Sequence, residues 1–176
     1  KRLAKYKVPR GYRSVDSFCT ARRVVEAGAR FVTLSWGSWD THSKNFITFR
    51  KQLPSLDIGL SALISDLAED GRLGDVSIVV WGEFGRTPRI NGNAGRDHWP
   101  RVSPGLMAGG GIRAGQVIGT TDKIAAEPTA RPVHYQDVMA TMYQHLGLNP
   151  NATTVNDPTG RPQYLCDSGR PIRELI

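Results

Sequence analysis

The residues with chemistry in them sit in two short stretches. One is Trp36-Gly37-Ser38-Trp39-Asp40-Thr41-His42. The other runs from Val79 to Pro100 and carries Gly82-Glu83-Phe84-Gly85-Arg86 and Gly95-Arg96-Asp97-His98-Trp99-Pro100. Asp40 and His42 stand two apart, so on an extended backbone both side chains project to the same side and can meet one ion. Asp97 and His98 offer a second carboxylate–imidazole pair, and Glu83 a further carboxylate where an apolar run ends. Oxygen and imidazole donors without thiolates suit a divalent ion such as Zn, Mn, Fe, Ca or Mg. Arg86, Arg96 and Lys44 lie a few residues away, as an anionic substrate held beside a metal requires. Such an ion polarises a phosphoryl or sulfuryl oxygen and lowers the pKa of bound water.

Each group also has a plainer reading. Asp40 can cap the following helix and His42 can be an ordinary loop histidine. Glu83 can pair with Arg86, and Asp97-His98 can be a hydrogen-bonded turn. Against these readings stands a coincidence: all four tryptophans (36, 39, 81 and 99) fall in or beside the same segments. Large aromatics mark a core or a pocket wall.

The elements that must position these loops follow from periodicity. Ser14 or Asp16 can cap a helix through Phe18, Ala21, Val24 and Val25 that stops at Gly28. Arg30–Trp36 reads as a buried strand. Leu53, Leu56, Leu60, Leu63, Ile64 and Leu67 mark a long amphipathic helix, kinked or restarted at Pro54 and ended at Gly71 or Gly74. Val76–Trp81 is a second strand, and the strand–helix–strand order predicts a right-handed parallel crossover. The loop from Gly82 to Arg101 is too long for a mere connection. Ser103–Ala108 reads as a third strand, Gln116–Gly119 as a short one beside it, and Val133–Leu146 as a helix closed by Gly147. Residues 1–13 read as a basic connector ahead of one domain at 14–176.

The totals narrow the function classes. A chain of 176 residues with 39% hydrophobic and 22% charged content is an ordinary globular domain with a core. No apolar run approaches the ~20 residues of a membrane span. The net charge of +7 comes from scattered Lys and Arg, many beside Gly or Pro, which argues against a nucleic-acid partner. Cys19 and Cys166 match no zinc or redox spacing; buried thiols and one long-range disulfide both stay open. The chain has no initiator Met and no signal-peptide core, so it reads as a piece of a longer protein.

Trp39-Asp40-Thr41-His42 with Asn45, Gly82-Glu83-Phe84-Gly85-Arg86-Thr87-Pro88, Gly95-Arg96-Asp97-His98-Trp99-Pro100, Gly109-Gly110-Gly111 and Gly119-Thr120-Thr121-Asp122 together resemble a bacterial family. It is the domain-of-unknown-function family 1501, grouped with the alkaline phosphatases and sulfatases, and the resemblance covers about residues 14–172. The helix at Val138–Met142, preceded by Asp137, is similar to one near the end of sulfatases. The resemblance implies an α/β chain, the C-terminal part of a three-layer α/β/α sandwich with a mostly parallel sheet. It implies a metal-dependent hydrolase of phosphate or sulfate esters, exported or periplasmic, whose substrate is a small anionic ester. Carried over by position, Asp40, His42, Glu83, Asp97 and His98 become metal ligands, and Arg86 and Arg96 hold the anion. Two departures matter. One residue separates Asp40 from His42 where phosphatases usually have three, and Phe84 stands where a second histidine belongs. One ion on Asp40, His42 and His98 therefore fits better than a two-metal site. The family's nucleophile is expected in the N-terminal remainder of the parent chain. The competing class is a non-catalytic exported protein that keeps the fold, with or without one ion, for binding.

Overall fold

A computed structural model describes residues 2–176, and the chain forms two compact units. The first comprises the residues up to Arg72 together with Arg86–Pro100. Its helices are α1 (Asp16–Glu26) and α2 (Asn45–Glu69). Ser14 Oγ accepts the Asp16 backbone N–H at 3.2 Å, which satisfies a donor the first helical turn leaves over. Gly28, at φ +104°, takes the left-handed conformation that ends α1. α2 runs 25 residues straight through Pro54, which withholds one N–H from the helix without ending it. Asp70 follows as its C-cap and Gly71 takes φ +69°.

The two helices pack through Phe18, which meets Gly59 so closely that a Cβ there would stand 2.9 Å from the ring. Tyr6, Val15, Phe18, Cys19 and Ala62 form the core, with Leu34, Trp36, Leu56, Leu60 and Leu63 packed on it. Removing a side chain the size of Phe18 from water contributes about 1.5–3 kcal/mol. Leu53, expected on the apolar face, is instead exposed. Arg22 crosses to Asp66 at 3.1 Å and Asp70 at 3.2 Å, and Lys5 reaches Asp66 at 2.9 Å. Lys5 and Tyr6 thus tie the expected 1–13 connector to this core; Lys1, also in that stretch, lies outside the described residues.

The second unit comprises Leu73–Gly85 and the residues from Arg101 onward. β1 (Ser77–Trp81) pairs antiparallel with β4 (Gly105–Gly109), Ser77 opposite Gly109 and Trp81 opposite Gly105. β5 (Thr120–Thr121) pairs with β6 (Pro128–Ala130), and β7 (Thr154–Asn156) with β8 (Pro162–Tyr164). α3 (Tyr135–His145) starts where Asp137 Oδ2 accepts the His134 N–H at 3.0 Å. Its buried Thr141 accepts the Ile172 N–H at 2.9 Å, which docks the C-terminal segment on the helix. β2 (Gly85–Arg86) pairs with β3 (His98–Trp99).

The expected fold class is therefore corrected. The described residues form three α-helices and four two-stranded antiparallel sheets, not a three-layer α/β/α sandwich with a mostly parallel sheet. Arg30–Trp36 joins no ladder, and Phe31 is 65% exposed where a buried strand was expected. One of its own side chains ties it down instead, Trp36 Nε1 donating to the Ser14 carbonyl at 3.1 Å. Val76–Trp81 finds its partner in the chain that returns from Ser103, so the crossover is replaced by an antiparallel pair. Gln116–Gly119 is irregular, with Val117 fully exposed, and pairing begins only at Thr120. Among the described residues no helix is long and apolar enough to cross a membrane. Cys19 and Cys166 are both buried free thiols.

Candidate metal centre

The loop that carries Asp40 is fixed by aromatic contacts rather than by a sheet. Phe18, Trp36, Trp39 and Phe49 form a chain with ring centroids 5.6, 5.9 and 5.4 Å apart. Trp39 Nε1 donates to the Trp36 carbonyl at 2.9 Å and closes the turn that precedes Asp40. Aromatic pairs are worth about 0.5–1.5 kcal/mol each beyond their buried area, so the helical core sets the direction in which Asp40 leaves.

The second loop is laced onto the first through backbone. Arg96 N–H donates to the Thr41 carbonyl at 3.0 Å, and Lys44 and Asn45 N–H groups donate to the Asn93 and Ala94 carbonyls at 3.1 and 3.0 Å. Asn91 organises the turn: its Oδ1 accepts the Asn93 and Gly95 N–H groups, and its Nδ2 donates to the His42 carbonyl at 3.0 Å. Gly95 passes so near that a Cβ there would stand 2.0 Å from the His42 carbonyl carbon. Only glycine admits that approach.

This lacing brings together donors far apart in sequence. Asp40 Oδ1 lies 2.9 Å from His42 Nε2 and 2.8 Å from His98 Nε2, and the two imidazole nitrogens are 3.1 Å apart. Asp40, His42 and His98 are the residues among those described that form a cluster fit to hold a metal ion. All three are exposed, so the donors face solvent. Arg86 Nη2 donates to the same Asp40 oxygen at 2.7 Å. His98 first, and Arg86 after it, hold the Asp40 carboxyl down to about 2 by hydrogen bonding to its ionised form.

Asp97 stands behind His42 rather than beside its Nε2. Its Oδ1 meets His42 Nδ1 at 2.7 Å and accepts a further bond from Asn91 Nδ2 at 3.1 Å. Both bonds, His42's the stronger, keep the Asp97 carboxyl below the usual range. A carboxylate can only accept, so His42 Nδ1 donates to Asp97, and Nε2 is the ring atom turned to the cluster. Carboxylate–imidazole pairs of this kind orient metal-binding histidines.

The two arginines differ. Arg86 faces Asp40, with its other amino group on the Arg96 carbonyl at 3.2 Å. Arg96 braces the loop: it donates to the Thr87 and Pro88 carbonyls at 2.6 and 2.9 Å and lies 5.6 Å over the Phe46 ring. Glu83 follows β1 in the second unit and is not one of the clustered donors. Asp40 does not cap α2, whose N-cap is Lys44. Asn91 escaped the sequence reading, although Asn91-Gly92-Asn93 is turn-forming chemistry that hinted at it. Depressions of about 400 and 430 Å³ lie elsewhere, around Gln144, Asn151 and Pro171 in the second unit.

One carboxylate and two imidazoles converging on a point, with a guanidinium on the carboxylate, make up a candidate metal-binding triad. The chain belongs to the family described as Protein of unknown function (DUF1501), whose model matches residues 7–176. No curated protein and no solved structure matches it.

Proposed function

We propose that the chain carries the metal centre of a hydrolase acting on phosphate or sulfate esters, in keeping with its resemblance to alkaline phosphatases and sulfatases. The observation that carries this reading is the Asp40–His42–His98 triangle with Arg86 on its shared oxygen. The donor set suits one divalent ion, because two neutral imidazoles and one carboxylate match Zn, Mn or Fe better than the all-oxygen cages of Ca or Mg. A bound ion supplies Lewis acidity toward the ester's non-bridging oxygen. The protein's part is positional. Asp97 holds the His42 ring with its Nε2 inward, and Arg86 stands where it can turn from Asp40 to an anionic oxygen. A forked guanidinium suits such an oxygen pair. Arg96 keeps the loop that carries Asp97 and His98 in register. The reading also includes export from the cytoplasm, as the resemblance implies.

The test is metal analysis of purified protein, followed by assay against aryl phosphate and aryl sulfate esters with ions added singly. About one ion per chain and turnover that both disappear in His98→Ala support the reading. A protein that binds no ion refutes it. A loaded protein inert toward every ester leaves an exported binding component as the better description.

A further inference from the structure

We infer that Thr41 and Asn45 are the positioning pair of the candidate metal centre: a buried hydroxyl–amide bond that turns Asp40 and His42 to one side and ties them to α2. The inference rests on the metal reading above and assigns a role in it to two residues that supply no donor of the cluster.

Thr41 stands between two of the donors, and burial alternates across the three residues. Thr41 is 6% exposed, whereas the side chains of Asp40 and His42 are 63 and 47% exposed. Successive side chains alternate along an extended backbone, so a middle residue held inward sends both neighbours outward. The outcome is on view here, with Asp40 Oδ1 and His42 Nε2 only 2.9 Å apart. Whatever keeps Thr41 inward therefore decides where both donors face.

Thr41 is held at every polar atom. Its N–H donates to the Trp39 carbonyl at 2.9 Å, its carbonyl accepts the Arg96 N–H at 3.0 Å, and its hydroxyl accepts from Asn45 Nδ2. The last of these is the side-chain bond, and it lies between two buried residues, Asn45 being 2% exposed. A buried polar group stripped of its partner is costly, so neither side chain turns away while the other stays.

Asn45 also reaches the second loop. It opens α2, and its N–H donates to the carbonyl of Ala94, four residues ahead of His98. Lys44 before it takes φ +48°, the turn that lets the chain enter the helix at this point. The side chain of Asn45 therefore holds the Asp40–His42 turn, and its backbone holds the loop of Asp97 and His98. Both are joined through it to a helix of 25 residues. Donors supported by a regular element keep their geometry better than donors on loops alone. Buried and bonded to Thr41, Asn45 acts through the neighbouring chain and not as a ligand.

Three variants test this. Thr41→Val removes the hydroxyl at nearly constant volume, and Thr41→Ser keeps it. Asn45→Ser shortens the amide out of reach of Thr41 while leaving a residue suited to a helix start. Calorimetric titration with Mn(II) below the melting temperature reads the affinity of folded protein, and urea unfolding of the metal-free protein reads stability separately. Thr41→Val and Asn45→Ser should each bind Mn(II) about 10-fold more weakly or worse. Thr41→Ser should bind as wild type does, and combining Thr41→Val with Asn45→Ser should cost no more than the larger single loss, as for two partners of one bond. Should Thr41→Val fail to fold, Asn45→Ser set against Thr41→Ser carries the same comparison. Wild-type affinity in Asn45→Ser with only the urea midpoint lowered would reduce the pair to a structural brace, overturning the inference and leaving the metal centre standing. Failure of the wild type to bind Mn(II) would overturn both.

Discussion

Replacing Asp97 should weaken metal binding without removing a donor from the cluster. Its carboxylate touches His42 at Nδ1, 2.7 Å away, on the far side of the ring from the Nε2 that faces Asp40 and His98. In Asp97→Ala the ring loses the acceptor that fixes its tautomer, and Asn91 Nδ2 loses one of its two partners. The ring is then free to turn or to carry its proton on Nε2, and either must be reversed before binding. Losses of this kind cost about 10–100-fold in metal affinity, and the alanine variant should fall toward the upper end. Asp97→Asn keeps an oxygen able to accept from both His42 and Asn91 and surrenders only the charge, so it should lose about 10-fold. Calorimetric titration of metal-free protein with Mn(II) or Zn(II) at neutral pH measures both. The order wild type, Asp97→Asn, Asp97→Ala is the signature of an orienting carboxylate. Equal affinity in all three would refute the reasoning; complete loss in Asp97→Asn would make Asp97 a direct ligand.

Four further outcomes follow from the same contacts. Arg86→Met should leave Mn(II) binding intact or tighter, because a cation leaves the Asp40 oxygen, while phosphate affinity of the loaded protein drops about 10–100-fold; unchanged phosphate affinity sinks the clamp role. Gly95→Ala must push the 91–96 loop off the His42 backbone, so both thermal stability and metal affinity should fall, and a wild-type melting curve would show that the close approach does not exist in solution. Arg22→Ala takes the guanidinium from the buried Asp66 carboxylate and leaves it Lys5 and Tyr6, and urea unfolding should show a loss of about 3 kcal/mol; a change under about 0.5 kcal/mol, the size of an ordinary surface substitution, contradicts the buried pair. Arg131, bonded to Glu174 at 2.6 and 2.7 Å, depresses that carboxyl from 4.5 to about 2. A depressed carboxyl contributes stability that is full above 4.5 and lost as the pH falls through about 2. A carbon-detected titration should therefore place the Glu174 midpoint near 2 and return it to the ordinary range in Arg131→Gln, and an ordinary midpoint in wild type discounts the pair.

Helices and donor chemistry were legible in the chain because both are local properties. The spacing of Phe18, Ala21 and Val24 and of Leu56, Leu60, Leu63 and Leu67 sets α1 and α2 by the 3.6-residue period alone, and α3 follows the same rule. Oxygen and imidazole donors at Asp40, His42 and His98 suggested a metal-binding cluster by their types, and the fold brings the three together. Strand pairing was not legible. Arg30–Trp36 and Val76–Trp81 are both rich in β-branched and aromatic residues, yet only the second has a partner. Propensity makes a run fit for a sheet, while a ladder needs a second chain segment delivered at the right place and in register. The division of labour at the site was settled in the same way. Asp97 stands behind His42, Arg86 faces Asp40 and Arg96 braces the turn because Asn91, Gly95 and the Thr41 carbonyl fix how two loops over fifty residues apart lie against each other. Residue types name the chemistry, whereas long-range backbone contacts decide which atom of each side chain meets which.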